Sequence, residues 1–446
     1  MDTEKTLIEK VNNWIINSVT LKLVIITILM ALLLMPVSMI ISIIKEREQL
    51  KNQAIEEVSS KWAVSQQVNG PVLTIPLIYE HEKEGKLSTS TRHIHILPEQ
   101  MKIAGEIKPE RLRRGIYEIV VYESNLSISG NFYLNLKPEK ANLKEIKFDE
   151  AFLTIGISDM RGIKNQIKIL WEKETLDVKP GSKLSELIYS GVTVDVPNLE
   201  RDQGQNIKFE FFLDLQGSQN LSFIPVGSIT DVQIKSNWES PSFNGNFLPD
   251  SRTLNSDGFS ASWSILQLNR NFPQSWFDDD LSAEKMEASS FGVDLLLPMD
   301  DYQKSMRSAK YAIMTIALTF LIFFLVEILN KMKIHPFQYA LVGLALCLFY
   351  ILQVSISEHS NFNFAYGIST FGIITMVTLY ALSFFRKRRL IVLLISSLIG
   401  IYGFLFVILQ LTDYALLMGS IGLTLILGAT MYFTRNINWY RLKIED

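Results

Sequence analysis

Hydrophobic positions along the chain follow two regimes. Uninterrupted apolar runs of about 20 residues, the length a helix needs to cross a bilayer, occur once near the start and then crowd in after Lys310. The first is 23–44; the others are 311–329, 337–356, 364–385, 390–411 and 414–433, so the pattern predicts one span, a long interval and five more spans. At the helical rise, the 22 residues of the first run extend about 33 Å. This is too long for a signal-peptide core, and Lys45-Glu46-Arg47-Glu48 follows in place of a small-residue cleavage site, so an uncleaved anchor is expected. Residues 45–67 are polar and helical in character and read as a continuation of the anchor. Beyond Gly70 the pattern changes to short runs such as VLTIPLIY, HIHILP, GVTVDV and IKFEFFLDLQ, rich in β-branched and aromatic residues and alternating with polar ones. They predict a mostly antiparallel β domain, a sandwich or open barrel, with 269–288 as an irregular or helical return. The fold class is therefore a helical membrane bundle plus a mostly-β domain.

Charge placement orients the spans. Lys5, Lys10 and Lys22 precede the first span, Lys331 and Lys333 lie in one short loop, Arg386, Lys387, Arg388 and Arg389 in another, and Arg435, Arg441 and Lys443 in the tail. The alternate loops, 357–363 and 412–413, hold no Lys or Arg. The positive-inside rule then expects both termini in the cytoplasm and the middle block outside, since long domains translocate largely regardless of charge. The expected organisation is a cytoplasmic segment 1–22, an anchor 23–44, an extracytoplasmic β domain 45–310, a five-span bundle 311–433 and a cytoplasmic tail 434–446. Within it, 3–17 reads as an amphipathic helix, Pro36 as a kink and Pro336 as a first-turn proline. Ser420, Thr424 and Gly428 form a small-residue stripe expected to pack against a neighbouring span.

Composition narrows the function classes. The chain has 446 residues, 48% apolar and 20% charged, with net charge −3, which gives no electrostatic case for nucleic acid. Its one cysteine, Cys347, lies in an apolar run, so neither a disulfide framework nor a zinc knuckle is available. GxSxG, HExxH and GxxxxGK[ST] are absent from the chain.

Several segments carry a family likeness. SSKWAVSQQVNGPVLTIP (59–76), ILPEQMKIAGEIKPERLRRGIYEIVVYESNLSISGNF (96–132), WESPSFNGNFLPDSRTLNSDGFSASWSILQLNR (238–270), KIHPFQYALVGLALCLFYILQVSISEH (333–359) and MYFTRNINWY (431–440), in this order and with the anchor before them, resemble the CreD family of bacterial inner-membrane proteins nearly end to end. The resemblance implies a Gram-negative envelope protein linked to envelope integrity, colicin tolerance and a two-component response to cell-wall stress. It implies no chemistry and no cofactor, and carries no catalytic residues.

Candidate chemistry is sparse. His93 and His95 fall on one strand face, but two ligands do not make a metal site, so they read as structural or surface histidines. Asp278-Asp279-Asp280 lacks calcium-loop spacing and reads as a solvated loop. Arg113, Arg114 and Tyr117 form the sharpest polar motif. Adjacent strand residues face opposite sides, so the arginines are not expected to grip one anion, and an internal partner is expected for Arg114. Trp238 and Arg270 bracket a Gly- and Pro-rich family-like segment, which is either a binding surface or a compact loop. These five residues are the candidate contact surface. Glu327, two residues from the end of its span, is expected to pair with Lys331 at the interface, so neutralising it should change little.

Three functions stay open. The leading one is a non-catalytic integrity protein whose outer domain contacts another envelope protein or a cell-wall component while the spans anchor it in lipid. The second is a transporter or accessory subunit, for which Gly367 and Gly372 are the remaining hint. The third is a membrane enzyme on lipid-linked substrates, with Glu358, His359 and Asp413 at the outer mouth. Oligomeric state is not legible.

Overall fold

The computed structural model describes residues 19–435 apart from 84–85, 137–141, 198, 203, 279, 298–300, 331, 386 and 412–413. The segment 3–17 and the loop residues Lys331 and Asp413 fall outside the described residues. The chain divides into two compact units, Asn52–Pro298, and Met1–Lys51 with Met299–Asp446. Helix α1 (Val19–Trp62) runs unbroken through Pro36 and contributes to both.

The β unit holds two sheets and is not closed into a barrel. One sheet runs β14 (Pro241–Gly245), β18 (Phe291–Leu295), β12 (Asn220–Phe223), β1 (Gln66–Lys83), β6 (Phe152–Ile157), β10 (Gly191–Asp195) and β9 (Lys179–Pro180). The long β1 also pairs with β2 (Lys86–Ile96), which holds β17 (Ser275–Phe277), and with β5 (Leu143–Ile146). The second sheet runs β15 (Ser251–Asn255), β16 (Gly258–Leu266), β13 (Ile229–Ser236), β3 (Gln100–Arg114), β4 (Tyr117–Tyr133), β11 (Asn206–Ser218), β7 (Lys168–Trp171) and β8 (Glu174–Asp177). A short helix, α2 (Ala283–Glu287), lies in the return segment.

Alternation dictates these strands. Along β13, Val232, Ile234 and Ser236 are buried while Asp231, Gln233 and Lys235 point outward, and β11 buries Ile207, Phe209, Phe211, Leu213 and Leu215 in the same way. β6 is buried along its whole length and reads accordingly as a continuous apolar run. The inward side chains of both sheets form one core, in which Phe291 of the first sheet meets Trp263 of the second at 5.6 Å. Pairing is antiparallel except for β1 with β12 and β3 with β13.

Asp159 fastens the end of α1 to this domain. Its carboxylate accepts from Val64 N at 3.0 Å and from Arg161 Nη2 at 2.7 Å, and Arg161 reaches back to the Ser60 carbonyl. The Arg161 guanidinium and these backbone bonds hold the Asp159 carboxyl below the usual carboxylate range. A group depressed in this way stabilises the fold above its unfolded pKa, and that contribution is lost as the pH falls through the native value. Asp159→Asn should therefore narrow the gap between the thermal midpoints at pH 7 and pH 3. An unchanged gap would remove Asp159 from the acid response.

The helical unit comprises α1 up to Lys51, α3 (Asp301–Lys310), α4 (Ala312–Leu329), α5 (Pro336–Ser357), α6 (Phe362–Ala381), α7 (Arg388–Gln410) and α8 (Ala415–Thr434). Six of them, α1 and α4 to α8, are long and apolar enough to cross a membrane. Pro336 opens α5, where its missing N–H is harmless, and His335 caps it, with Nδ1 accepting from Phe337 N at 3.1 Å. The anchor is seated in the bundle: Gly343 of α5 has no room for a Cβ because Leu33 of α1 fills the space. The stripe on α8 corrects the expectation. Ser420, Thr424 and Gly428 are exposed, and the two hydroxyls bond carbonyls of their own helix. α8 packs instead through buried Gly422, whose bare backbone accommodates the Phe404 ring.

Candidate functional site

The bundle interior holds a charge cluster that overturns the interfacial reading of Glu327. Glu327 is fully buried. Its Oε1 takes an ion pair from Lys22 Nζ of α1 and a hydrogen bond from Ile334 N at 3.0 Å, while Oε2 accepts from Tyr339 OH at 3.0 Å. Lys22, read as a flanking residue, is itself buried. The reason is positional: α4 presents Thr315, Thr319, Phe323 and Glu327 at four-residue spacing, all buried, so the carboxylate faces inward rather than along the helix surface. A sequence signal existed. Lys22 borders one apolar run and Glu327 is the lone charge within another, and the positive-inside rule puts them at the same end of the bundle.

Among the described residues the next polar groups on that face are Thr319 and Thr315, the latter also accepting from Tyr350 OH of α5 at 3.2 Å, and neither hydroxyl is bonded to Glu327. Thr319 Oγ1 bonds the Thr315 carbonyl at 2.8 Å and Thr315 Oγ1 the Tyr311 carbonyl at 3.3 Å, both within their own helix. Phe323 lies between, its ring 6.0 Å from Tyr339 and 5.9 Å from Phe385. The opposite end of α5 carries a second group: Ser308 Oγ donates to Gln353 Oε1 at 2.9 Å, and Glu358 is 3.4 Å from Arg47 and accepts from Tyr302 OH at 3.3 Å. Glu358 is thus engaged in the bundle. Gly367 lines a groove of about 680 Å³ between α6 and α7, and Gly372 has ordinary contact with Leu352.

In the β unit the five expected contact residues separate. Arg113 and Arg114 diverge as the pleat requires: Arg113 Nη2 is 2.6 Å from Glu118, and Arg114 Nη2 is 2.6 Å from Glu57 near the end of α1. Tyr117 opens β4 directly opposite Arg114. Trp238 and Arg270 are each only 8% exposed, which places them within the domain and leaves the hairpin end as the surface. Trp238 Nε1 donates to the Leu296 carbonyl at 2.9 Å, and Arg111 stacks over the ring at 5.0 Å. Arg270 lies over Phe272 at 4.0 Å and donates to the Phe272 and Val226 carbonyls at 2.8 and 3.2 Å. Burial without a nearby carboxylate pushes its guanidinium down to about 10.

The histidine pair has a role that spacing alone did not show. His95 is buried, with Nδ1 2.9 Å from Thr74 Oγ1 and its ring 5.2 Å from Trp276. Asp278 accepts from His93 N at 2.6 Å and Arg92 Nε at 2.8 Å, which fastens it to β2, while Asp280 is exposed. Among the described residues no group of three or more His, Cys, Asp or Glu is placed to hold a metal ion.

Six helices long and apolar enough to cross a membrane accord with the inner-membrane description that the chain's relatives carry. The family model described as "Inner membrane protein CreD" matches residues 18–440. The Inner membrane protein CreD of Escherichia coli (strain K12) is 32% identical over 419 residues, covering 93% of this chain and 92% of that protein. With likeness of that extent spanning both the bundle and the β domain, the chain belongs to the CreD family of inner membrane proteins.

Proposed function

We propose that this protein is a non-catalytic envelope-integrity factor, with both termini in the cytoplasm and its β domain in the periplasm, where that domain contacts another envelope component. The observation that carries the reading is the closed shell around Glu327. Its carboxylate takes Lys22, Tyr339 and Ile334 N and is walled off by Phe323; such a group clasps helices together and leaves no acceptor facing a pathway. The bundle then serves as an anchor, and the large β domain, with the Arg113 hairpin end at its surface, is the part available to a partner.

Transport is favoured by one observation, the buried polar atoms Ser305 Oγ, Gln353 Nε2 and Tyr402 OH, which have no partner among the described residues. The apolar stretch around Phe323 separates them from the only buried ion pair among the described residues of the bundle. Deleting 68–300 with all six spans retained should reproduce the sensitivity of a full deletion to detergents and cell-wall antibiotics. A domain-less protein that is inserted at normal levels and protects as well as the intact one would overturn the proposal and favour transport.

A further inference from the structure

The solvent face of the second sheet contains a hollow of about 530 Å³. Its breadth follows from the register: Gln100 of β3 opposes Asn131 of β4, Asn131 adjoins Asn206 of β11, and Glu210 opposes Leu170 of β7. The four strands span three inter-strand spacings, roughly 14 Å, a width suited to several linked rings rather than one small molecule. Gly130 is part of the lining, and on the core side of the sheet the buried Phe209 ring occupies the space that a Cβ there would need.

Three features of this face define a ligand. Gln100, Asn131 and Asn206 bring three side-chain amides to one surface, each offering both a donor and an acceptor. Lys102 and Lys208 are balanced by Glu172 and Glu210, so no net charge attracts a phosphate or a polyanion. Apolar contact comes from Leu170, 41% exposed, and from Phe212, 65% exposed and one outward position beyond Glu210 on β11. An exposed phenyl ring opposite Ser127 and one outward position from Glu210 is a flat apolar platform beside hydrogen-bonding groups. Neutral amides beside such platforms match a sugar chain that has C–H faces, hydroxyls and acetamido groups. A peptide strand would use a sheet edge, and this surface is a sheet face.

The geometry points to this hollow and Phe212 as a binding site for an uncharged oligosaccharide carrying acetamido groups. The inference deepens the envelope-contact reading and rests on it, naming the class of component touched. The full-length protein in lipid nanodiscs is titrated with chitotetraose, cellotetraose and inorganic polyphosphate, with binding read by saturation-transfer NMR and calorimetry. Chitotetraose should bind, cellotetraose roughly tenfold more weakly, and polyphosphate not measurably. Phe212→Ser and Asn131→Ala should each weaken chitotetraose roughly tenfold at unchanged thermal midpoint, the loss expected for one stacking or amide contact. Absence of chitotetraose binding, equal binding of cellotetraose, preference for polyphosphate, or equal binding by both variants would overturn it. Should chitotetraose fail while deletion of 68–300 still reproduces the null sensitivity, the envelope-contact reading stands and the saccharide site falls.

Discussion

Glu327→Ala should destabilise the membrane bundle by about 3–5 kcal/mol, because it leaves the Lys22 ammonium buried without its counter-charge. It also strips the acceptor from Tyr339 OH and Ile334 N. The protein carries its own probe for this loss: Cys347, buried in α5 and the only cysteine in the chain, should react with a maleimide at lower temperature in the variant. A double variant, Lys22→Met with Glu327→Met, should regain most of the lost stability, since an apolar pair of similar volume avoids the desolvation penalty of two ions. Wild-type reactivity in Glu327→Ala would refute the clasp. A double variant as labile as the single one would locate the loss in packing rather than charge.

Trp238→Ala should lower the stability of the β domain by about 3–5 kcal/mol, the range for emptying a buried indole site. The side chain is almost wholly enclosed, its N–H is bonded to the Leu296 carbonyl, and Arg111 lies on its face, so truncation opens a cavity and orphans a carbonyl together. Arg113→Ala, at an exposed hairpin end, should change stability little. Melting of both variants, followed by near-ultraviolet circular dichroism, separates core from surface. A Trp238→Ala protein that melts like wild type but loses envelope protection would restore that residue to the contact surface.

What the chain discloses about itself depends on the range of the interaction. Span positions and strand alternation are local periodicities, and both recur in the helices and in strands such as β11 and β13. The divergence of Arg113 and Arg114 is equally local, because it follows from the pleat. Sheet order is not local: β3 lies beside β13, parallel and more than a hundred residues apart, through contacts that no periodicity encodes. The same holds for Trp238 and Arg270, whose neighbourhood of Gly, Pro and Ser reads as a loop while the partners that enclose them, Leu296, Arg111 and Val226, come from elsewhere in the chain. Glu327 was misread for this reason. Its nearest basic residue in sequence is Lys331, and its actual partner is 305 positions away.

That separation also has a bearing on how the protein is made. Lys22 is synthesised near the beginning and Glu327 only after 305 further residues; at about 5–20 residues per second the interval is roughly 15–60 s. Throughout it Lys22 lacks the carboxylate that pairs with it in the folded bundle. A lysine close to a helix end tolerates the wait by extending its head toward the lipid headgroups. Only once α4 has been made can Glu327 supply the counter-charge that the buried ammonium has in the folded bundle. The Lys22–Glu327 pair thus ties the first helix to a residue made 305 positions later, and a chain that stops before residue 327 lacks the carboxylate that Lys22 meets in the folded bundle.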